Sequence, residues 1–218
     1  MRVYTKRLKN VLSKEEYKLF SKLNTPHKIQ DFLDSLPINF ETKGDTLYSP
    51  RQVLAYNKAH CMEGALFAAA VLAFHGQTPQ LLDLQTVAYD QDHVVTLFKV
   101  GGKWGAISKT NHAILRWRDP VYNSARELAM SYFHEYHLNN GTKTLVAFSK
   151  PFSLVRYDPA WWVGADKGLE KIAIELDESP HTPILPSPKD RRNLRKTSKV
   201  ERKILEFVEW KNERTRLY

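Results

Sequence analysis

Apolar positions recur along this chain at two spacings, and the change from one to the other predicts the architecture. The first third reads as helices. Ser13, followed three residues later by Glu16, is a capping-box pair that opens a helix over 13–23. Thr25 and Pro26 open a second, in which Ile29, Phe32, Leu33 and Leu36 share one face before Pro37 stops it. Ser49, Pro50 and Gln52 begin a short third helix. The strongest helical stretch is 60–75, where Ala65, Ala68, Ala69, Ala70 and Leu72 are followed by Gly76 as a C-cap; it predicts a buried central helix.

From residue 80 the pattern loosens toward alternation. A strand is expected over 80–88, and a β-hairpin from 93–100 and 103–108 joined by Gly101 and Gly102. Pro120 reads as a break. Ser124 and Glu127 then cap a helix running through Tyr136, with Leu128, Tyr132, Phe133 and Tyr136 inward, and 144–149 suggests another strand. Trp161 and Trp162 precede a helix near 167–176, and the four prolines of 179–188 mark a linker or an extended arm. In the last stretch basic residues alternate with Leu194, Val200, Ile204, Leu205, Val208 and Trp210, largely at helical spacing. This suits an amphipathic helix docked on the domain, a homodimer contact, or a basic surface arm. The expected organisation is a domain over 1–178, a proline-rich linker over 179–188 and a basic amphipathic segment over 189–218. No internal repeat, phosphate-binding glycine loop or paired-cysteine metal motif is visible.

Composition narrows this picture. A chain of 218 residues can bury one substantial core. The longest apolar run, 65–74, is too short for a membrane span, and the basic start lacks the apolar stretch and cleavage site of a secretory signal, so a cytoplasmic protein is expected. With a single cysteine no internal disulfide can form, which leaves Cys61 as a free thiol to be explained. The formal charge is +9, and a surplus of +6 lies within 189–218, a property of the tail rather than of the fold.

The candidate chemistry begins at that cysteine. A thiol is mostly protonated at neutral pH; a helix N-terminus and a neighbouring imidazolium turn it into a nucleophile. Cys61 stands where the central helix begins, and His93 opens a strand after the polar run Tyr89, Asp90, Gln91 and Asp92. Helix-borne cysteine, then strand-borne histidine, then a second strand ending in polar residues is the order papain-like thiol enzymes use. The bland alternative is that Cys61 and His93 are unrelated core residues. His60 reads as a structural hydrogen-bonder rather than a second base, and Glu63 as a partner of the helix dipole that could also buffer charge at the site. A metal held by Cys61, His60, His93 and His112 is conceivable, but no second close-spaced ligand pair supports it, so neither metal nor cofactor is expected.

The same residues carry a resemblance. His60 to Ala65, then Asp92, His93 and Val94, then Trp104, Gly105, Ala106 and Ile107 resemble the cysteine, histidine and following-strand blocks of the transglutaminase-like superfamily, with an uncharacterised bacterial branch resembled further at 108–112 and 116–122. The resemblance covers about a third of the chain. It implies an α+β, papain-like or transglutaminase-like fold whose cysteine-bearing central helix packs on an antiparallel β-sheet, and acyl transfer through a thioester. The superfamily usually closes its triad with an aspartate on the strand after the histidine, whereas this chain has Ser108 there and no carboxylate between Lys103 and His112.

Asn111 is the preferred substitute, since an amide oxygen can accept the imidazole N–H. Register bears on the choice: a two-residue turn at Gly101 and Gly102 puts Ser108 on the face of His93 and Asn111 on the other, and one extra residue reverses this. Asp90 and Asp92 are further candidates. The expected function is therefore attack of Cys61 on an amide or ester carbonyl of a peptide or protein, with His93 as base and acid and Asn111 or Ser108 orienting it. The rivals are a non-catalytic member that binds a peptide or protein, and a nucleic-acid binder acting through its basic tail, the less expected of the two.

Overall fold

The computed structural model of the chain describes residues 1–42, 44–185 and 187–211; what the sequence suggests for 186 and 212–218 lies outside them. It is an α+β fold of ten α-helices among the described residues and one seven-stranded antiparallel sheet. The helices are α1 (Arg2–Val11), α2 (Lys14–Lys22), α3 (Pro26–Ser35), α4 (Pro50–Tyr56), α5 (Cys61–Phe74), α6 (Ala125–Met130), α7 (Pro159–Trp162), α8 (Glu170–Asp177), α9 (Pro188–Arg192) and α10 (Lys199–Glu206). The strands are β1 (Gln80–Thr86), β2 (His93–Val100), β3 (Lys103–Ile107), β4 (Arg118–Tyr122), β5 (Leu145–Ser149), β6 (Phe152–Ser153) and β7 (His181–Pro183), in the spatial order β4-β3-β2-β1-β5-β7, with β6 also on β1.

The caps foreseen at Ser13, Thr25, Ser49 and Ser124 all accept the backbone N–H three residues on, which starts each helix where the orphan donors need a partner. Helix α5 is apolar all round, and every residue from Met62 to Phe74 is buried, as befits a helix enclosed by other elements. It lies on β2, where Thr96 Oγ1 donates to the Ala65 carbonyl at 2.6 Å. One core joins α5, the N-terminal helices and one sheet face; the other face carries Leu82, Leu84, Val95, Leu97, Leu128, Tyr132, Tyr136 and Ile184.

The hairpin closes on two residues. Val100 pairs with Lys103, and Gly101 and Gly102 both take positive φ (57° and 79°), which a tight hairpin turn asks of its central residues.

The structure adds elements to these expectations and corrects others. The basic start folds as α1, whose Tyr4 and Leu8, four residues apart, are buried; Trp162 Nε1 donates to the Tyr4 hydroxyl at 2.9 Å. Pro120 does not break the chain. It lies in β4, an edge strand, where a residue without an N–H is tolerated. The helix expected through Tyr136 ends at Met130 because Ser131 Oγ takes the Leu128 carbonyl at 2.6 Å and the next turns close on three-residue spacing; Leu128, Tyr132, Phe133 and Tyr136 remain buried. The proline-rich stretch 179–188 contributes β7, which pairs with β5 through Ala147 and Pro183. Beyond it, α10 buries none of its residues: Val200 is 76% exposed and Ile204 49%, so two of the apolar groups expected to pack inward face outward. No helix among the described residues is long and apolar enough to cross a membrane.

Candidate active site

Cys61 is the first residue of α5, so its N–H has no carbonyl one turn back and the positive end of the helix faces the sulfur. The preceding residue shapes this end. His60 is the N-cap: its Nδ1 faces the Met62 N–H at 3.3 Å and its own N–H donates to Glu63 Oε2 at 2.9 Å, while Nε2 lies 3.0 Å from the Thr46 carbonyl. Glu63 is fully buried and also accepts from Tyr48 N and Thr46 Oγ1, both at 2.9 Å, and from Asn39 Nδ2 at 3.1 Å. This carboxylate therefore fastens the loop before α4 to the start of α5. It does more than favour the helix dipole.

Cys61 is half-buried, and the imidazoles of His60 and His93 line the same cleft as its sulfur. Burial alone would push the thiol up; the two imidazoles, through their hydrogen bonds and charge, outweigh it and hold Cys61 well below an ordinary thiol. Burial would likewise push His60 down, and it is overcome by the Cys61 sulfur, by Glu63 and by the Thr46 carbonyl, which together push it up to about 9.

His93 is buried at the start of β2, with Nε2 3.1 Å from Ser108 Oγ. That hydroxyl also meets the carbonyls of Leu115 at 3.1 Å and Arg116 at 3.0 Å. Its one proton belongs to a carbonyl, so toward His93 the oxygen is an acceptor and Nε2 carries the imidazole proton. The backbone of Ser108 is gripped in turn by Gln30, whose Oε1 accepts from Ser108 N at 3.1 Å and whose Nε2 donates to Ser108 O at 3.0 Å.

Asn111, the preferred orienter on sequence grounds, does not serve His93. Its Nδ2 donates to the Trp210 carbonyl and its Oδ1 accepts from the Trp210 N–H, both at 2.8 Å. The reason is the two-residue turn, which gives Ser108 rather than Asn111 the side of the sheet on which His93 lies. Asp92 Oδ1 accepts from Thr86 N at 2.6 Å and Thr86 Oγ1 at 2.9 Å, and Asp90 accepts from Gln91 N.

These residues surround a cleft of about 450 Å³, lined among others by Cys61, His60, His93, Lys109, Asn111 and His112. Lys109 was not singled out by sequence. It is fully buried, donates to the Leu36 carbonyl, and burial first, then Arg116, pushes its amine down to about 8. Its Cβ rests on Gly64, where a methyl would come within 2.5 Å of it. Gln30 was also missed; its one signal was a polar residue placed between Ile29 and the rest of an apolar stripe, where it is 5% exposed.

Among the described residues Cys61, His60, His93 and His112 do not gather as metal ligands. Asp83, Asp92 and Asp177 do bring one oxygen each within 4.8 Å of one another. There burial, then the charge of Asp92, pushes Asp83 up to about 6 against the opposing pull of His181.

What the arrangement can do chemically is stabilise a thiolate at Cys61 beside two imidazoles in a cleft. No protein-family model matches the chain, and no curated protein matches it.

Proposed function

We propose that the protein is a thiol-dependent enzyme of papain-like, transglutaminase-like build that attacks an amide or ester carbonyl of a peptide or protein. The observation that carries this reading is the Cys61 thiol, held well below an ordinary thiol by two imidazoles at a helix N-terminus that opens on a cleft. In the reaction Cys61 thiolate adds to the carbonyl carbon, and the oxyanion takes the unpaired N–H of Cys61. His93 gives its Nδ1 proton to the leaving amine or alcohol as the C–N or C–O bond breaks, and a thioester remains. His93 then accepts a proton from the water or amine that resolves the thioester and restores the thiolate. Ser108 positions the ring, and the His60 imidazole caps the helix start beside the sulfur.

The test is alkylation by iodoacetamide across pH 5–9. Cys61 should react faster than a free model thiol at about pH 6, and His93→Ala should remove the excess. A rate that follows an ordinary thiol titration and ignores His93 would overturn the enzyme reading. That result would favour the non-catalytic, peptide-binding alternative, which the neutral hydroxyl of Ser108 in place of a carboxylate supports.

A further inference from the structure

The cleft has a wall made by the chain's own C-terminal segment. After α10 the backbone extends, Val208 forms an antiparallel bridge with His112, and Glu209 N donates to the Asn111 carbonyl at 3.3 Å. The Asn111 amide meets both the N–H and the carbonyl of Trp210. An amide that bonds both backbone groups of one residue reads an extended strand and is indifferent to the side chain that strand carries. Beside it Arg116, 6% exposed, pairs with Glu209 and, at 3.3 Å, with Asp34, while its Nε donates to the Thr110 carbonyl at 2.8 Å. Leu205 reaches into the cleft that holds Cys61 and His93.

Burial contributes little to this attachment. No residue of α10 is fully buried, Phe207 is 83% exposed, and the segment is held by backbone bonds, one acidic side chain and the half-buried Leu205 and Trp210.

We propose that the Asn111–His112 edge is a docking site for an extended peptide with an acidic residue, and that residues 207–210 occupy it as an internal stand-in for such a peptide. The inference deepens the thiol-enzyme reading by naming a substrate class for the same cleft, although binding at the edge does not itself require a reactive cysteine. The tethered segment competes at the high effective concentration of an intramolecular ligand, so an external peptide binds when the tether's own contacts are weakened.

The experiment uses the full chain. Trp210→Pro removes the N–H that Asn111 accepts, and Glu209→Lys sets a cation against Arg116; the double variant is paired with Glu209→Lys alone in case the proline disturbs folding. Binding of a fluorescein-labelled ILEFVEWK peptide, the sequence of residues 204–211, is read by anisotropy.

Both variants should bind it about tenfold or more tightly than the native chain, and adding Asn111→Ala should abolish that gain. Cys61 in the variants should alkylate faster than in the native chain and slow again under saturating peptide. Absence of peptide binding, or binding indifferent to Asn111→Ala, overturns the docking site even if Cys61 alkylates rapidly at pH 6. Binding as expected with a Cys61 that titrates as an ordinary thiol upholds the docking site and overturns the enzyme reading.

Discussion

Ser108→Ala tests the link between the fold and the reactive pair. The hydroxyl is fully buried and meets three groups, His93 Nε2, the Leu115 carbonyl and the Arg116 carbonyl. Truncation leaves the His93 N–H and at least one carbonyl without their partner where water does not readily replace it. Each buried polar group stranded in this way costs about 1–3 kcal/mol. If the cost of the stranded His93 N–H alone falls on holding the ring toward sulfur, alkylation of Cys61 at pH 6 drops roughly 5- to 150-fold. Any part that falls on the fold appears instead as a lower melting temperature, so both are measured on the same sample, with stopped-flow iodoacetamide alkylation over pH 5–9 as the kinetic assay. Asn111→Ala, which touches the C-terminal segment and not His93, should not slow the low-pH reaction. A Ser108→Ala protein with the native pH profile and native melting would refute the positioning role.

Two other outcomes follow from the cleft wall. Gly64→Ala forces a methyl to within 2.5 Å of the Lys109 Cβ, which no rotamer change can relieve, so urea denaturation should show a loss of about 1–3 kcal/mol; native stability would mean that α5 does not approach the segment after β3 so closely. Lys109, pushed down to about 8 from 10.5, makes the unfolded chain bind more protons between those values: the cost of the buried charge is full below about 8 and is relieved as pH rises toward 10.5. Lys109→Met should therefore be more stable than the native protein near neutral pH, with the gap closing above pH 10; a pH-independent difference in urea midpoints would contradict it.

Much of this protein follows from local rules that act over a few residues. The capping pairs at Ser13 and Ser49, the wholly apolar run after Cys61 and the Gly101-Gly102 turn each satisfy backbone donors or positive φ within their own neighbourhood, so the helices, the hairpin and the order of cysteine before histidine were legible without coordinates. The register argument was legible too, but not its outcome: a single residue more in the loop would have exchanged Ser108 for Asn111. Only the tertiary structure decided which of them His93 faces, because the answer depends on pairing across the sheet and on the Leu115 and Arg116 carbonyls that claim the Ser108 proton. Distance along the chain hid the rest. Gln30 meets Ser108 across 78 positions and Asn111 meets Trp210 across 99, and neither partner shows any local pattern by which the other could be found. Local sequence determined where the thiol and the imidazole would stand; long-range hydrogen bonds decided what holds the imidazole and what covers the cleft, since buried polar groups take whichever partners the packed chain brings to them.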